Sequence, residues 1–139
     1  MGELEKTLEI LDQQYEDYCA MYQVSLEQQA CIEREDLSEL NVSFERVHRL
    51  MDQIRLRQAD MPELSRNNSA VHPEFRKRGQ TLRRIIGELE ELRQVNEKLV
   101  KELLQRTRGE LRQFDKGQRA IRGYQSTKVQ DARFFDGTR

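Results

Sequence analysis

Apolar residues recur along the first third of the chain at Leu4, Leu8, Leu11, Tyr15, Tyr18, Tyr22 and Leu26. Gaps of four and three place all seven on one face of a helix. Ala30 and Leu37 stay close to that phase, and Leu40, Phe44, Val47, Met51 and Ile54 continue it. No Gly or Pro falls between residues 3 and 61. A charged cluster from Glu33 to Asp36 interrupts the stripe, and Asp36 with Glu39 has the spacing of a capping box. The pattern fits one helix over about 3–59, bent near residue 35, or two helices that meet there. We favour the continuous helix with a bend.

Residues 60–73 hold both prolines and an Asn67-Asn68-Ser69 run, which reads as a loop. A second helix is expected over about 74–122, entered through Pro73 with Glu74 in its first turn. Leu82, Ile85, Leu89, Leu92, Leu99 and Leu103 keep an alternating three-four spacing, and Asn96 occupies the seat the stripe skips. Asn96 is either a polar seat that fixes register in a coiled-coil-like seam or a residue at the stripe's edge. Phe114 and Ile121 extend the helix, and Gly123 is a plausible stop. Leu50, Leu56, Val95, Val100 and Leu104 lie off the main stripes and widen the apolar face for a second contact.

An all-α fold follows: a long antiparallel helical hairpin or a small helix bundle with coiled-coil-like packing. Two helices that each bury one narrow stripe make a weak core. Either the first helix breaks to give a bundle, or two chains pair, and a homodimer is the expected state. After Gly123 the helical period is lost, so 123–139 reads as a flexible tail ending near Phe134 and Phe135. Aromatics in such a tail suit a binding element that orders on contact; they equally suit a segment folded back on the bundle.

Composition agrees. Of 139 residues 36% are hydrophobic and 35% charged, with seven Gly and two Pro, too few turn formers for a β-sandwich or barrel. The net charge of −1 conceals two opposed halves. Residues 1–69 carry 15 acidic and 7 basic side chains, net −8, and residues 70–139 carry 10 and 17, net +7. Such halves attract when the chain folds back or when two chains meet antiparallel. The cations are interleaved with Glu88, Glu90, Glu91, Glu97 and Glu102 and lack an aromatic platform, which argues against a nucleic-acid partner. No signal peptide, myristoylation signal or membrane-spanning run is read from the sequence, so a cytoplasmic location without membrane insertion is expected.

No catalytic chemistry converges. The glycines at 79, 87, 109, 117 and 123 do not form a phosphate loop, and His48 and His72 lack a second His or Cys at ligand spacing. Glu45 and His48 carry a Glu-x-x-His spacing once, where a ferritin-like metal site needs two. Cys19 and Cys31 lie twelve residues apart, about 18 Å along one helix, too far for a disulfide. Without a secretion signal the sequons at Asn41 and Asn67 carry no meaning. The expectation is a non-enzyme without metal or cofactor.

The stretches QQACIEREDLSEL (28–40) and VHRLMDQI (47–54) resemble the first half of bacterial flagellar export chaperones of the FlgN and FliT type. The ending GQRAIRGYQSTKVQDARFFDGTR (117–139) resembles the tail of FlgN/FliT-like proteins, with Ala120, Ile121, Tyr124 and the Phe134-Phe135-Asp136 terminus at the matching places. The resemblance implies a small cytosolic all-α chaperone without cofactor. It would hold hook-associated or filament-cap subunits before export through the flagellar type III apparatus, and it leaves room for contact with the export apparatus itself. In the FlgN branch the C-terminal part takes the cargo, which by position corresponds here to Leu103, Leu104, Leu111, Phe114, Ile121 and Tyr124. The competing reading is a cargo-free coiled-coil scaffold acting through self-association.

Overall fold

The computed structural model describes residues 2–62, 72–107 and 110–128, with the backbone alone at Leu111. Within them the chain forms four helices and no strand: α1 (Glu3–Glu33), α2 (Leu37–Ala59), α3 (Pro73–Arg106) and α4 (Leu111–Ser126). Residues 63–71 of the expected loop and tail residues 129–139, with Phe134 and Phe135, lie outside the described residues.

Both long helices expected from the sequence are divided. The first ends at Glu33, where Asp36 N–H donates to the Cys31 carbonyl (2.8 Å) and Glu35 N–H to that of Ile32 (3.0 Å). This is a Schellman ending, and Glu35 takes the left-handed position at φ 59° that glycine normally fills. Asp36 then caps α2 by accepting from Glu39 N–H (3.1 Å), so the suspected capping box starts a separate helix. The second division follows Arg106: Thr107 closes α3 by donating its hydroxyl to the Leu103 carbonyl (3.0 Å). Pro73 opens α3 and Glu74 stands in its first turn, as expected. Gly123 does not stop α4, which runs on to Ser126.

The helices pack in a ring. α1 lies between α2 and α3, and α4 closes the other side between the same two helices. α1 and α3 run parallel: Asp12 pairs with Arg78 (2.8 Å), and further along both helices Asn96 Nδ2 donates to the Ser25 carbonyl (2.9 Å). α1 and α2 are antiparallel, tied by Asp17–Arg57 (2.8 Å) and Gln28–Ser43 (2.9 Å). The acidic first half therefore meets the basic second half, but through a bundle and not one long hairpin. α4 has 16 residues against 34 in α3, so it covers one end of the bundle only.

Two apolar cores result. One, at the three-helix end, centres on Leu11, Met21, Val47, Phe75, Leu82 and Leu89. The other, beside α4, centres on Leu37, Leu40, Phe44, Val100, Leu103 and Tyr124. Between them lies a buried polar layer of Ser25, Gln28, Ser43, Arg93 and Asn96. Asn96 is wholly buried in that layer, which settles it as a polar seat that registers α3 on α1.

α1 departs most from expectation. Its buried face carries Thr7, Gln14, Met21 and Gln28 at seven-residue spacing, flanked by Leu11, Tyr18, Ser25 and Ile32. The stripe read from the sequence shares only Leu11 and Tyr18 with it. Tyr15 and Leu26 are each 39% exposed, because the core takes Ile10, Met21, Val24, Cys31 and Ile32 from the adjoining face together with the polar Thr7, Gln14 and Gln28. Apolar counting followed the regular three-four row and passed over Ile10, Met21, Val24 and Ile32, which the core takes.

Candidate partner-binding site

The residues carried over from the resemblance gather around α4, and the structure sorts them. Leu103 (0% exposed), Leu104 and Tyr124 are core residues. Phe114 is 36% exposed and Ile121 half-buried, so these two present apolar surface beside α4. Leu111 stands at the first position of α4.

α4 is held chiefly by close backbone approach. A Cβ at Gly117 would fall within 2.6 Å of Leu104 Cγ, and one at Gly123 within 2.7 Å of the Phe44 ring. Ala120 lies between them on the same buried seam. The absence of side chains there lets α4 sit deep between α2 and α3, where polar groups complete the hold. Asn41 Nδ2 donates to the Lys116 carbonyl (3.1 Å), and Arg93 Nη1 to that of Tyr124 (2.9 Å). Arg93 is buried and also pairs with Glu90 (2.7 Å) and Glu97 (3.4 Å), which together offset the desolvation of its charge.

Around Tyr124 the environment is apolar and the groups stay protonated. Burial pushes the Tyr124 hydroxyl far above the usual phenol range, with Cys31 adding in the same direction. That hydroxyl lies beside Asn96 but makes no hydrogen bond of good geometry. Burial likewise raises the Cys31 thiol, against the pull of nearby Arg34, so Cys31 is a poor nucleophile. Both cysteines are free. His48 is exposed, and among the described residues no cluster of His, Cys, Asp or Glu could hold a metal ion.

A second surface was not singled out as a site from the sequence. On the outer side of the parallel α1–α3 pair, Tyr15 and Leu26 of α1 and Val95 of α3 (46% exposed) are exposed, and Tyr22, Leu92 and Leu99 are half-buried. Tyr15 lies against Cys19 and close to Arg84 and Glu88, which joins the two helices along this face. Val95 was marked for a second contact, and its exposure places it here. Leu56, marked with it, is 70% exposed beside the α1–α2 groove, while Val100 and Leu104 are core residues. The signal was present in the doubled apolar rows of α1, but only the fold shows which row faces out.

The chain is a helical bundle, and none of its helices among the described residues is long and apolar enough to cross a membrane. Its family is shown directly. The chain belongs to the FlgN family, the flagellar export chaperones: the model described as FlgN protein matches residues 1–131. No curated protein and no solved structure matches the chain.

Proposed function

We propose that this chain is a cytosolic chaperone that binds hook-associated or filament-cap subunits and keeps them unassembled until type III export. The observation that carries the reading is the seating of α4. It is the shortest helix among the described residues, its buried seam is Gly117, Ala120 and Tyr124, and it exposes Phe114 and Ile121 at its margin. An amphipathic cargo helix laid along that margin would bury both side chains, the helix-in-groove mode of recognition. Leu103 and Leu104 lie under α4 and Tyr124 faces inward from it, so the three reach cargo only if α4 lifts. Lifting it would bare an apolar groove between α2 and α3, floored by Phe44, Val100 and Leu103.

Light scattering after size exclusion tests this, with the protein mixed with the purified hook–filament junction and cap proteins of its own source. A stoichiometric complex with one of them, weakened about tenfold or more by Phe114→Ala combined with Ile121→Ala at unchanged helicity, is the expected result. A chain that binds none of them would stand as a cargo-free self-associating scaffold.

A further inference from the structure

We propose that residues 129–139 of this chain dock between α2 and α3 at the three-helix end of the bundle, in the seat that α4 leaves unfilled. α4 fits between those two helices, which scarcely touch one another directly. It runs antiparallel to α3, from Gly117 on Leu104 to Tyr124 on Arg93. It ends at Ser126, and no described helix takes the same place over the remaining length of α3. The walls of the seat continue past that point. Two turns on from Phe44, which meets the Tyr124 ring, α2 brings the half-buried Met51 to the same face. Two and four turns back from Arg93, α3 brings Ile86 and the buried Gly79. α1 supplies the floor with Gln14 and Met21. Their row is flanked by Asp17, paired with Arg57 of α2, and by Tyr15, close to Arg84 of α3.

Length and direction select the occupant. α4 points into the seat, and residues 128–139 follow at its mouth. Along α3, Ile86, Gly79 and Phe75 lie about 10, 21 and 27 Å beyond the level shared by Arg93 and Tyr124. Phe134 stands ten residues beyond Tyr124. Helical backbone would carry it about 15 Å from that level, and extended backbone after Thr127 about 27 Å. Phe134 and Phe135 therefore reach the stretch between Ile86 and Phe75 in either conformation. Val129 and Ala132 precede them, so the segment brings further apolar side chains to the walls. A segment tethered at the mouth meets the seat at an effective concentration on the order of mM. A free ligand of equal affinity, arriving from dilute solution, does not displace it.

The proposal does not rest on the chaperone reading, and its test involves no cargo. The chain has no Trp, so Phe135→Trp in the full chain gives a single fluorescent reporter. Its emission should be blue-shifted from that of a free peptide of residues 127–139 with the same substitution. Adding Met51→Asp should return the emission to the peptide's wavelength at unchanged helicity. A second arm leaves all four helices untouched. Phe134→Ser with Phe135→Ser should speed the peroxide oxidation of Met51 several-fold by peptide mass spectrometry, with the core residue Met21 as an unchanged reference. A full chain whose reporter emits like the free peptide overturns the proposal, as does a Met51 whose oxidation ignores the two phenylalanines. A blue shift that survives Met51→Asp overturns it by placing the segment elsewhere on the bundle. One that grows with protein concentration overturns it by placing the segment on another copy.

Discussion

The ring of Phe44 meets that of Tyr124 edge-on, with centroids 4.8 Å apart and planes at 83°. This contact ties α4 to α2 across 80 residues of chain, and Gly123 makes it possible by leaving room for the Phe44 ring. Replacing Tyr124 with Ala should destabilise the protein by about 3 kcal/mol in urea unfolding, the usual cost of removing a buried aromatic. Tyr124→Phe should change stability by less than about 1 kcal/mol, because the hydroxyl forms no good hydrogen bond.

Gly123→Ala should act on α4 selectively. The added methyl meets three atoms of the Phe44 ring inside 3 Å, and overpacking of this kind costs about 1–3 kcal/mol. Native-state hydrogen exchange should show faster exchange in 111–126, with amides around Leu11 and Met21 unchanged.

Gln14 is 1% exposed, and neither its amide nitrogen nor its amide oxygen has a partner. A buried unpaired polar group costs about 1–3 kcal/mol. Gln14→Met should therefore raise the urea midpoint by an amount equivalent to about 1–2 kcal/mol, with helicity unchanged.

Glu35 holds a left-handed backbone at φ 59°. Glycine avoids the crowding that an L side chain suffers there, so Glu35→Gly should stabilise the chain by about 1 kcal/mol. A rise in thermal midpoint checks it. Asp36→Ala, which removes the cap of α2, should lower stability by a similar amount.

Stability should fall on the alkaline side. Tyr18 and Tyr124 are raised chiefly by burial, as is the Cys31 thiol. Groups raised in the folded state bind their protons more tightly there, so their contribution is whole below the unfolded values of about 8.5 for Cys and 10 for Tyr. It is lost as pH climbs through the folded values. Urea midpoints should hold steady to about pH 8 and decline above it, and Cys19 should react with thiol reagents before Cys31.

What the sequence made legible was local. The Asp36–Glu39 spacing and the Pro73–Glu74 entry mark helix starts by their own chemistry, and the structure uses both. Asn96 interrupted a regular leucine seam, which left a polar seat and a place at the stripe's edge both open until its burial decided between them. The break at Glu35 was harder to read, since no glycine marks the left-handed residue. The break after Thr107 was missed because apolar spacing carries past it to Phe114. The facing of α1 was not legible at all. Two rows competed, and the one that went inside contains Thr7, Gln14 and Gln28, which find their place only against α2 and α3. Of the site, Phe114 and Ile121 lie on an accessible margin, whereas the burial of Leu103 and Tyr124 depends on the glycines of α4, whose role is invisible until the helices meet.

The polar layer of Ser25, Gln28, Ser43, Arg93 and Asn96 separates two apolar cores and bonds across helices through Gln28–Ser43, Asn96–Ser25 and Arg93–Tyr124. Apolar contact tolerates sliding, whereas these bonds are directional. Slipping a helix by one turn would leave buried polar atoms without partners, at a cost of about 1–3 kcal/mol each. The layer thus keys the four helices to one alignment.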